Sequence, residues 1–476
     1  MQLTTFGLGF IPLALAVAIF ARGWLPALVV FSAVFQATSV LNVPVGAGAF
    51  GISPYNATAL LAFLVLVWRT YSLRALASPP EPLRQPASWL LAFAAIAITS
   101  AFVMPFLHAG TPVFLLLNKF GFDRGTTPLS FTVSNVVQAA NLAVHICVLA
   151  FLFQARSLSG NVSQRMLYGL GTAVVLMLTI GFYERAASLG VWQSFNAFWM
   201  NNPGYAQLHS HAISGFRRIV APFSEASYAT TFLAAVWAGL LAVCLFGRCR
   251  PWQLFALVTV GIGLINPLGS TGLVAAGAMA AVLLLTATTL SIITAASLDG
   301  RALRRRVILA WLATLIACLF AVWAWTASPA GPSVKKVVDT VLLDKLDSGS
   351  AKVRHRSNEQ AMQIVRDTWG MGAGLGSNRA SSYIASLVSN TGILGLLCFV
   401  GALGTLTWRY FATRQTLGDS QLFAVTALWT STLAVTLAIP DLNLPAYWIF
   451  IFMAFLGHSG RRGARVAASP DRGARA

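Results

Sequence analysis

The sequence predicts an all-α polytopic membrane protein with about 12–14 transmembrane helices. Of the 476 residues, 57% are hydrophobic and only 9% are charged, and the mean hydropathy is +0.73. This composition excludes an ordinary water-soluble domain. Apolar runs of a length that crosses a bilayer, roughly 17 to 25 residues, recur along the chain. The charged residues fall between these runs or at their ends.

Thirteen apolar runs define the expected helices. They centre on residues 6–21, 24–40, 56–72, 88–106, 133–154, 167–184, 226–246, 252–266, 270–293, 307–326, 383–408, 421–439 and 445–458. The first run lacks a basic leader and a small-residue cleavage site, so we expect it to stay in the mature protein. The expected organisation is helices 1–10 in residues 1–326, a large outer loop at 327–382, the last three helices at 383–458 and a basic tail at 459–476. Two further long outer loops are expected at 107–132 and 185–225.

Charge placement predicts the orientation of the chain. Cytoplasmic loops retain Lys and Arg, and alternate loops on one side of this map hold 19 of the 32 basic residues but only 4 of the 13 acidic ones. We therefore expect the arginine-rich side and the C-terminus to be cytoplasmic. The same distribution explains the net charge of +19 without nucleic acid as a partner. The five cysteines indicate neither a disulfide framework nor a CxxC metal site. Cys244 and Cys249 look too isolated for either feature.

The large outer loop is expected to contain two helices. Apolar residues from Val334 to Leu346 lie on one face of a helix that would rest on the membrane or the protein. A second helix is predicted over Ser357–Trp369, with Ser357 as N-cap and Met362 and Val365 on one side with Trp369. The glycine-rich stretch "GMGAGLGSNRASS" then ends it, and we expect Gly370 to Gly376 to form a turn whose backbone approaches its neighbours closely.

Arginines cluster in the outer loops, where a guanidinium fork suits phosphate oxygens. The arginines of interest are Arg217, Arg218, Arg354, Arg356, Arg366 and Arg379. If the two clusters converge, they form a pyrophosphate site; the alternative is pairing with Glu225, Glu359, Asp367 or lipid headgroups. ATP is excluded as the ligand, because the glycine run lacks the GK[ST] ending of a Walker A loop and faces outward. A membrane-anchored diphosphate fits both the compartment and the arginines.

Few outer residues can accept a proton. They are Glu184, Glu225, His209, His211, His355, Asp367 and Asp441. His355 stands between two arginines in "RHR", which would hold it neutral and available as a general base. Inside the membrane, one helix face carries Ser134, Gln138, Asn141 and His145. Interhelical hydrogen bonding is the preferred role for that face, and a substrate or proton path is the alternative.

Three stretches resemble the O-antigen polymerase and O-antigen ligase superfamily of bacterial envelope polysaccharide enzymes. They are "GMGAGLGSNRASSYIASLVSNTGILG", "RRIVAPFSEASYA" and, more weakly, "NPLGSTGLVAAG". In the last, Thr271 follows Ser270 where relatives often carry arginine. The resemblance covers about residues 185–400.

The resemblance implies a C-type glycosyltransferase fold in a bacterial inner membrane, with the outer side facing the periplasm. It implies glycan transfer from undecaprenyl diphosphate without nucleotide sugars, cofactor or metal ion. A chain-length regulator, a flippase and membrane lipids are the implied further partners. The residues themselves support the same chemistry, because fixed cations stabilise a diphosphate leaving group. Arg218, which matches the family's Arg-to-Phe motif, and Arg379 are the first choices for binding the diphosphate, and Arg218 also assists catalysis. The further diphosphate candidates are Arg217, Arg354, Arg356 and Ser381, and the candidate bases are Glu225 and His355.

One departure separates the two subfamilies. Ligases carry His followed by Asn, Ser or Gln, then nine residues and G-x-x-G. Gly392 and Gly395 supply the G-x-x-G, and counting back puts Ser381 and Ser382 where the pair should be. The missing histidine favours a polymerase that joins lipid-linked repeat units. The rivals are a ligase of the same fold and, from another class, a lipid-linked-sugar flippase or transporter, whose site would lie at the membrane midplane.

Overall fold

A computed structural model describes the chain over residues 1–45, 48–73, 84–114, 125–155, 161–204, 212–213, 216–294, 298–326, 331–332, 335, 339, 349–412, 418–438 and 446–458. Several predicted features fall outside these residues: the tail at 459–476 and the candidates His209, His211 and Asp441. Of the expected helix Val334–Leu346, only residues 335 and 339 are described.

Helices dominate the described residues, in agreement with the all-α prediction. They are α1 (Thr5–Phe20), α2 (Leu25–Ser32), α3 (Pro54–Leu73), α4 (Arg84–Leu107), α5 (Val133–Gln154), α6 (Val162–Ser188), α7 (Asn196–Trp199), α8 (Ala226–Phe246), α9 (Pro251–Ile265), α10 (Ser270–Ile293), α11 (Leu298–Thr326), α12 (Gly349–Asp367), α13 (Tyr383–Ala412), α14 (Asp419–Ala438) and α15 (Ala446–His458). A 3-10 turn, Arg22–Trp24, joins α1 to α2.

Each of the thirteen apolar runs contains a helix, but fewer helices are long enough to cross a bilayer. Within the described residues, eight helices are long and apolar enough to span a membrane, or up to nine if one bent pair is a single span. They are α4, α5, α6, α8, α10, α11, α13 and α14. The protein is therefore a multi-pass membrane protein, with shorter helices among the spans.

The run at 24–40 departs most from its prediction. The helix α2 ends at Ser32, and the pair α1 and Arg22–Ser32 is bent by 116°. Residues after Ser32 bond to distant backbone instead: the Ala37 amide donates to the Pro222 carbonyl and the Val40 amide to Ile52. A single straight helix over 24–40 is thus wrong, because the polar stretch after residue 35 bonds to other segments.

Short strands occur at the helix ends, which the apolar pattern does not predict. Strands β1 (Gln2–Leu3), β2 (Leu41–Val45) and β3 (Gly48–Ile52) form an antiparallel three-stranded sheet. Two antiparallel pairs follow, β4 (Pro112–Val113) with β5 (Thr127–Pro128) and β6 (Ala212–Ile213) with β7 (Phe216–Arg217). These pairs stiffen the long loops beside the helices.

The helix α8 lies at the centre of the bundle, packed against α9, α10 and α14, and 83% of its span is buried inside the protein. By contrast, only 6% of the span of α11 is buried, and α11 contacts α10 and α8. The helix α4 packs along α13. One continuous core cluster links α1 to α6 with α8, α9 and α13 to α15.

The helix α12 differs from its prediction in both its start and its buried face. It begins at Gly349, so Ser357 is an interior residue rather than an N-cap, and its hydroxyl donates to the Arg354 carbonyl at 2.9 Å. Met362 is exposed, and so is Trp369, at 88%. The buried face instead carries mostly small or polar residues at helical spacing, with one large apolar residue, Ile364; the others are Ser357, Ala361 and Thr368.

The glycine segment, residues 370–376, is a tightly packed loop between α12 and α13. Gly370, Gly372, Gly374 and Gly376 all have positive φ, from 79° to 97°. Residues with a Cβ rarely adopt this left-handed backbone conformation, whereas glycine adopts it freely. The alternation therefore bends the chain at every second residue and turns the two residues Ala373 and Leu375 into the core.

Close approach is the second reason for glycine in this segment. A Cβ on Gly374 would lie 2.6 Å from the Ser100 carbonyl oxygen of α4, and one on Gly376 would lie 2.7 Å from the Ser134 oxygen of α5. At Gly372 the added atom would meet the backbone of α13. The prediction of a close-approach backbone turn here is confirmed.

Replacing Gly374 by Ala should destabilise the protein, because left-handed backbone costs about 1–2 kcal/mol for a residue with a Cβ and the methyl group collides with α4. Gly277 in α10 is the matched control, since a Cβ there meets nothing within 4 Å. We expect heating of the detergent-solubilised variants, followed by size-exclusion chromatography, to show a lower midpoint for Gly374→Ala than for Gly277→Ala. Equal midpoints would contradict this packing.

Candidate functional site

Arg218 and Glu225 flank a buried turn that leads into α8. Residues 219–224 between them are all buried, and Ala221 has a φ of 50° in the left-handed region. Such strain in a non-glycine residue is often found at functional sites. Glu225 is the N-cap residue of α8 and its Oε2 accepts a hydrogen bond from Ser227 Oγ at 3.1 Å. The carboxylate thus stands at the positive end of the central helix.

Arg354 of α12 lies close enough for its charge to act on Arg218, while Glu225 supplies the opposite charge that the alternative to a pyrophosphate site requires. The charges of both Glu225 and Arg354 act on the half-buried Arg218. Burial lowers the pKa of the Arg218 guanidinium, attraction to Glu225 raises it, and repulsion from Arg354 lowers it. Since arginine keeps its proton near neutrality, the site holds two guanidinium groups near one carboxylate.

Arg185, in the last turn of α6, holds the start of this turn in place through its guanidinium group. Its guanidinium donates to the Asn266 side-chain oxygen at 2.8 Å, to the Asn266 carbonyl at 2.7 Å and to the Arg217 carbonyl at 2.8 Å. Arg218 Nε donates to the next carbonyl, that of Pro267, at 3.4 Å. The α9–α10 connection therefore serves as an acceptor platform for two arginines, and its Leu268 is also left-handed, with a φ of 53°.

Hydrogen bonds from α12 hold the end of the glycine-rich stretch. Asn358 Oδ1 accepts the amides of Ser381 and Ser382, both at 3.0 Å. The Ser381 hydroxyl lies 2.8 Å from that of Ser357, and Ser357 bonds in turn to the Arg354 carbonyl. Ser381 is thereby connected, through one turn of α12, to the arginine that faces Arg218.

Asn390 of α13 organises the middle of that stretch. Its Oδ1 accepts three consecutive amides, those of Gly376, Ser377 and Asn378, at 3.0–3.1 Å. Its amide nitrogen donates to the Asn378 and Ser386 carbonyls, each at 2.7 Å. These amides are therefore already occupied, so residues 376–378 do not form an empty phosphate cradle.

Two further contacts tie the same stretch to the first long loop and to α5. Asn378 Oδ1 accepts the Phe114 amide at 3.0 Å, and the Arg379 amide donates to the Phe114 carbonyl at 3.0 Å. Asn135 of α5, fully buried, donates to the Leu375 carbonyl at 2.9 Å. The first and third long loops thus meet beside α5.

The other predicted site residues stand outside this convergence or at its edge. His355 is 78% exposed, and its Nε2 lies 3.3 Å from Glu359 Oε1 on the solvent side of α12. Arg356 and Arg379 are exposed, while Arg217 is half-buried in β7. The charges of Glu225 and Arg354 both act on Arg218, and the described contacts of His355 include none of these three residues. A role for His355 as base stays a prediction.

Two other polar candidates have structural partners. Glu184 is buried, and its carboxylate accepts the Ser194 hydroxyl at 2.7 Å and the Phe195 amide at 2.9 Å. His145 lies 3.2 Å from the Tyr55 hydroxyl of α3, as expected for interhelical hydrogen bonding. Among the described residues, no three His, Cys, Asp or Glu side chains could share a metal ion.

A small apolar cleft, with room for about one water molecule, lies between α6, α8 and α9. Its lining includes Leu178, Phe182, Ile219, Leu233, Gly263 and Pro267. Arg218 donates to the carbonyl of Pro267 and precedes Ile219, so it lies near the cleft. Phe182 is exposed on the surface of α6. A cationic group thus lies close to an apolar helix surface.

Several residues of the site gave no signal in the sequence. Asn358 and Asn390 resemble ordinary polar residues of helices, and only their bonds to the glycine-rich stretch single them out. Arg185 could have been found as an arginine in the last turn of an apolar helix that adjoins the arginine loop. Ser224, buried beside Glu225, has a hydroxyl with no partner in the described part of the chain.

Replacing Asn390 by Ala should loosen the site, because it leaves three buried amides without an acceptor, at a cost of roughly 1–3 kcal/mol for each unsatisfied group. Asn56 in α3 is the control, since its side-chain amide makes no hydrogen bond within the described residues. We expect Asn390→Ala to expose the glycine-rich stretch to limited proteolysis, whereas Asn56→Ala should be cut like the parent protein. Unchanged cleavage of Asn390→Ala would contradict the role of these bonds.

Comparison of the chain with models of protein families, with curated proteins and with solved structures gives no match. A function assigned to this protein therefore rests on its own residues and their arrangement.

Proposed function

We propose that this protein is a membrane glycosyltransferase that polymerises undecaprenyl-diphosphate-linked oligosaccharide repeat units. The growing chain would be transferred to the non-reducing end of a new unit, on the periplasmic side of a bacterial inner membrane. The product would be exopolysaccharide, capsule or O-antigen. The observation that carries the proposal is that the charges of Glu225 and Arg354 act together on the half-buried Arg218, close to a small apolar cleft.

The charge balance of the cluster favours an anionic ligand. Arg218 is partly desolvated, and its interaction with Arg354 is repulsive. One carboxylate offsets only one of these two charges, and like charges held together in a partly buried site are costly unless an anion joins them. A diphosphate carries enough negative charge to neutralise both guanidinium groups, which can bind it through paired hydrogen bonds.

The apolar helix surface near Arg218 favours a lipid-linked ligand over a soluble one. The small cleft is lined by side chains of α6 and α8, and Phe182 of α6 is exposed. In this proposal the polyprenyl tail lies on the outer surface of these helices while its diphosphate reaches Arg218. A nucleotide has no comparable site in the glycine-rich stretch, because Asn390 already occupies the amides of residues 376–378.

The reaction assigns separate roles to the converging groups. The acceptor hydroxyl attacks the anomeric carbon of the donor sugar, forming a glycosidic bond and breaking the bond to the diphosphate oxygen. Glu225 accepts the hydroxyl proton, and Arg218 with Arg354 stabilises the negative charge of the leaving undecaprenyl diphosphate. The proposal keeps Arg217, Arg356, Arg379 and Ser381 as further diphosphate contacts and His355 as an alternative base.

Arg218→Ala should lower the rate of polymer formation by roughly 100- to 1,000-fold, the usual effect of removing one group that stabilises developing charge. Arg366 is the matched control, because this exposed arginine bonds to Gln363 on the solvent side of α12. The assay uses membranes with equal amounts of each variant and a lipid-linked repeat unit, with chain length read on a gel. Normal polymer from Arg218→Ala would refute the mechanism.

Glu225→Gln keeps the shape of the side chain but removes the base. We expect roughly a 100- to 10,000-fold slower reaction, as general-base catalysis usually contributes this much. His355→Gln in the same assay tests the alternative base. If His355→Gln were inactive while Glu225→Gln kept full activity, the assignment of Glu225 would be wrong.

Deleting the gene separates the proposed polymerase from its rivals. Loss of a polymerase leaves single repeat units on the lipid carrier, whereas loss of a ligase leaves long lipid-linked chains. Loss of a flippase leaves lipid-linked units inaccessible from outside the membrane. Lipid-linked sugars extracted from the deletion strain and sized by mass spectrometry, with and without an external glycosidase, give one of these three patterns.

A further inference from the structure

Two cysteines meet at the opposite end of α8 from Glu225. Cys244 lies in the last turn of α8, and Cys249 follows three residues after the helix ends. The Cys249 thiol donates to Cys244 Sγ at a distance of 2.8 Å. Both cysteines are free, and their thiols contact each other. Their sulfur atoms are only about 0.8 Å further apart than in a covalent disulfide, whose bond length is about 2.0 Å.

The connection between α8 and α9, residues 247–250, is held in place by neighbouring helices. The Arg248 amide donates to Asp419 Oδ1 at 3.1 Å, at the start of α14. Arg306 of α11 donates to the Gly247 carbonyl at 2.5 Å and to Leu245 at 3.3 Å. The pairing of the thiols is therefore part of an anchored turn, and oxidation requires little movement of the backbone.

We propose that Cys244 and Cys249 are a redox modification site that forms a reversible intramolecular disulfide. The inference is independent of the proposed glycan chemistry. The α8–α9 turn lies on the arginine-rich side that charge placement predicts to be cytoplasmic, where glutathione buffers thiols. The pair is then reduced at rest and closes when oxidised glutathione accumulates.

The reaction balances with oxidised glutathione as the oxidant. The Cys249 thiolate attacks the glutathione disulfide, forms a mixed disulfide and releases one reduced glutathione. Cys244 then attacks Cys249 Sγ, forming the protein disulfide and releasing the second glutathione. Overall, two protein thiols are oxidised and one glutathione disulfide is reduced to two thiols. Arg248 and Arg250, both exposed beside Cys249, attract the negatively charged glutathione.

The test counts thiols in the full-length protein. Membranes are incubated with oxidised glutathione, denatured and alkylated with a maleimide reagent that adds a resolvable mass to each free thiol. We expect the number of reactive thiols to fall from five by two, and a reductant to restore all of them. Intact mass should decrease by two hydrogen atoms rather than increase by a glutathione.

Variants separate this pair from the other cysteines. Cys244→Ser and Cys249→Ser should each abolish the paired loss, whereas Cys318→Ser, which removes an exposed cysteine of α11, should leave it intact. Asp419→Ala removes an anchor of the turn and should slow closure. Five reactive thiols after oxidation, a persistent mixed disulfide, a disulfide-linked dimer on a non-reducing gel, or the same loss in Cys244→Ser would each overturn the proposal.

Discussion

Three amides sharing the side-chain oxygen of Asn390 are the interaction on which this end of the molecule depends. Residues 376–378 lie among α4, α5 and α13, where water is not available to satisfy their backbone. Buried polar backbone is tolerated in a membrane bundle only when the protein supplies its partners. Asn390 supplies them in a single group, and Asn135 and Asn378 extend the same network to α5 and to the first long loop. These bonds hold the loop at residues 376–378 in a fixed position, so that it supports the segments packed against it.

The fixed position of this loop determines which residues of the site lie close together. The glycine-rich stretch ends at Ser381 and Ser382, whose amides bind Asn358, so α12 is fixed along the bundle. Fixing α12 places Arg354 in the field of Arg218, while the buried turn before α8 places Glu225 there. The placement of these charges therefore depends largely on hydrogen bonds made by uncharged side chains and backbone. Arg185 adds to them by donating to Asn266 and to the Arg217 carbonyl.

The sequence predicted well what depends on long apolar runs and poorly what depends on polar packing. The bounds of α8 and α10 were predicted to the residue because hydrophobicity alone defines a span. The spacing of Gly370 to Gly376 also predicted a close backbone approach, since alternating glycines have few other uses. In contrast, the buried face of α12 consists of Ser357, Ala361, Ile364 and Thr368, which no apolar periodicity singles out. The sequence identified the loops that carry the arginines. Whether Arg354 or Arg356 lies closer to Arg218 depends on the rotation of α12 about its own axis, which the sequence alone does not specify.

The burial of α8 has a consequence for how the protein responds to its bilayer. With 83% of its span covered by other helices, α8 has little contact with lipid, and a change in bilayer thickness acts first on peripheral helices such as α11. Those helices can tilt to match the hydrocarbon thickness, while α8 keeps its position relative to α9, α10 and α14. The depth of Glu225 is therefore set by protein packing and should change little between membranes of different lipid composition.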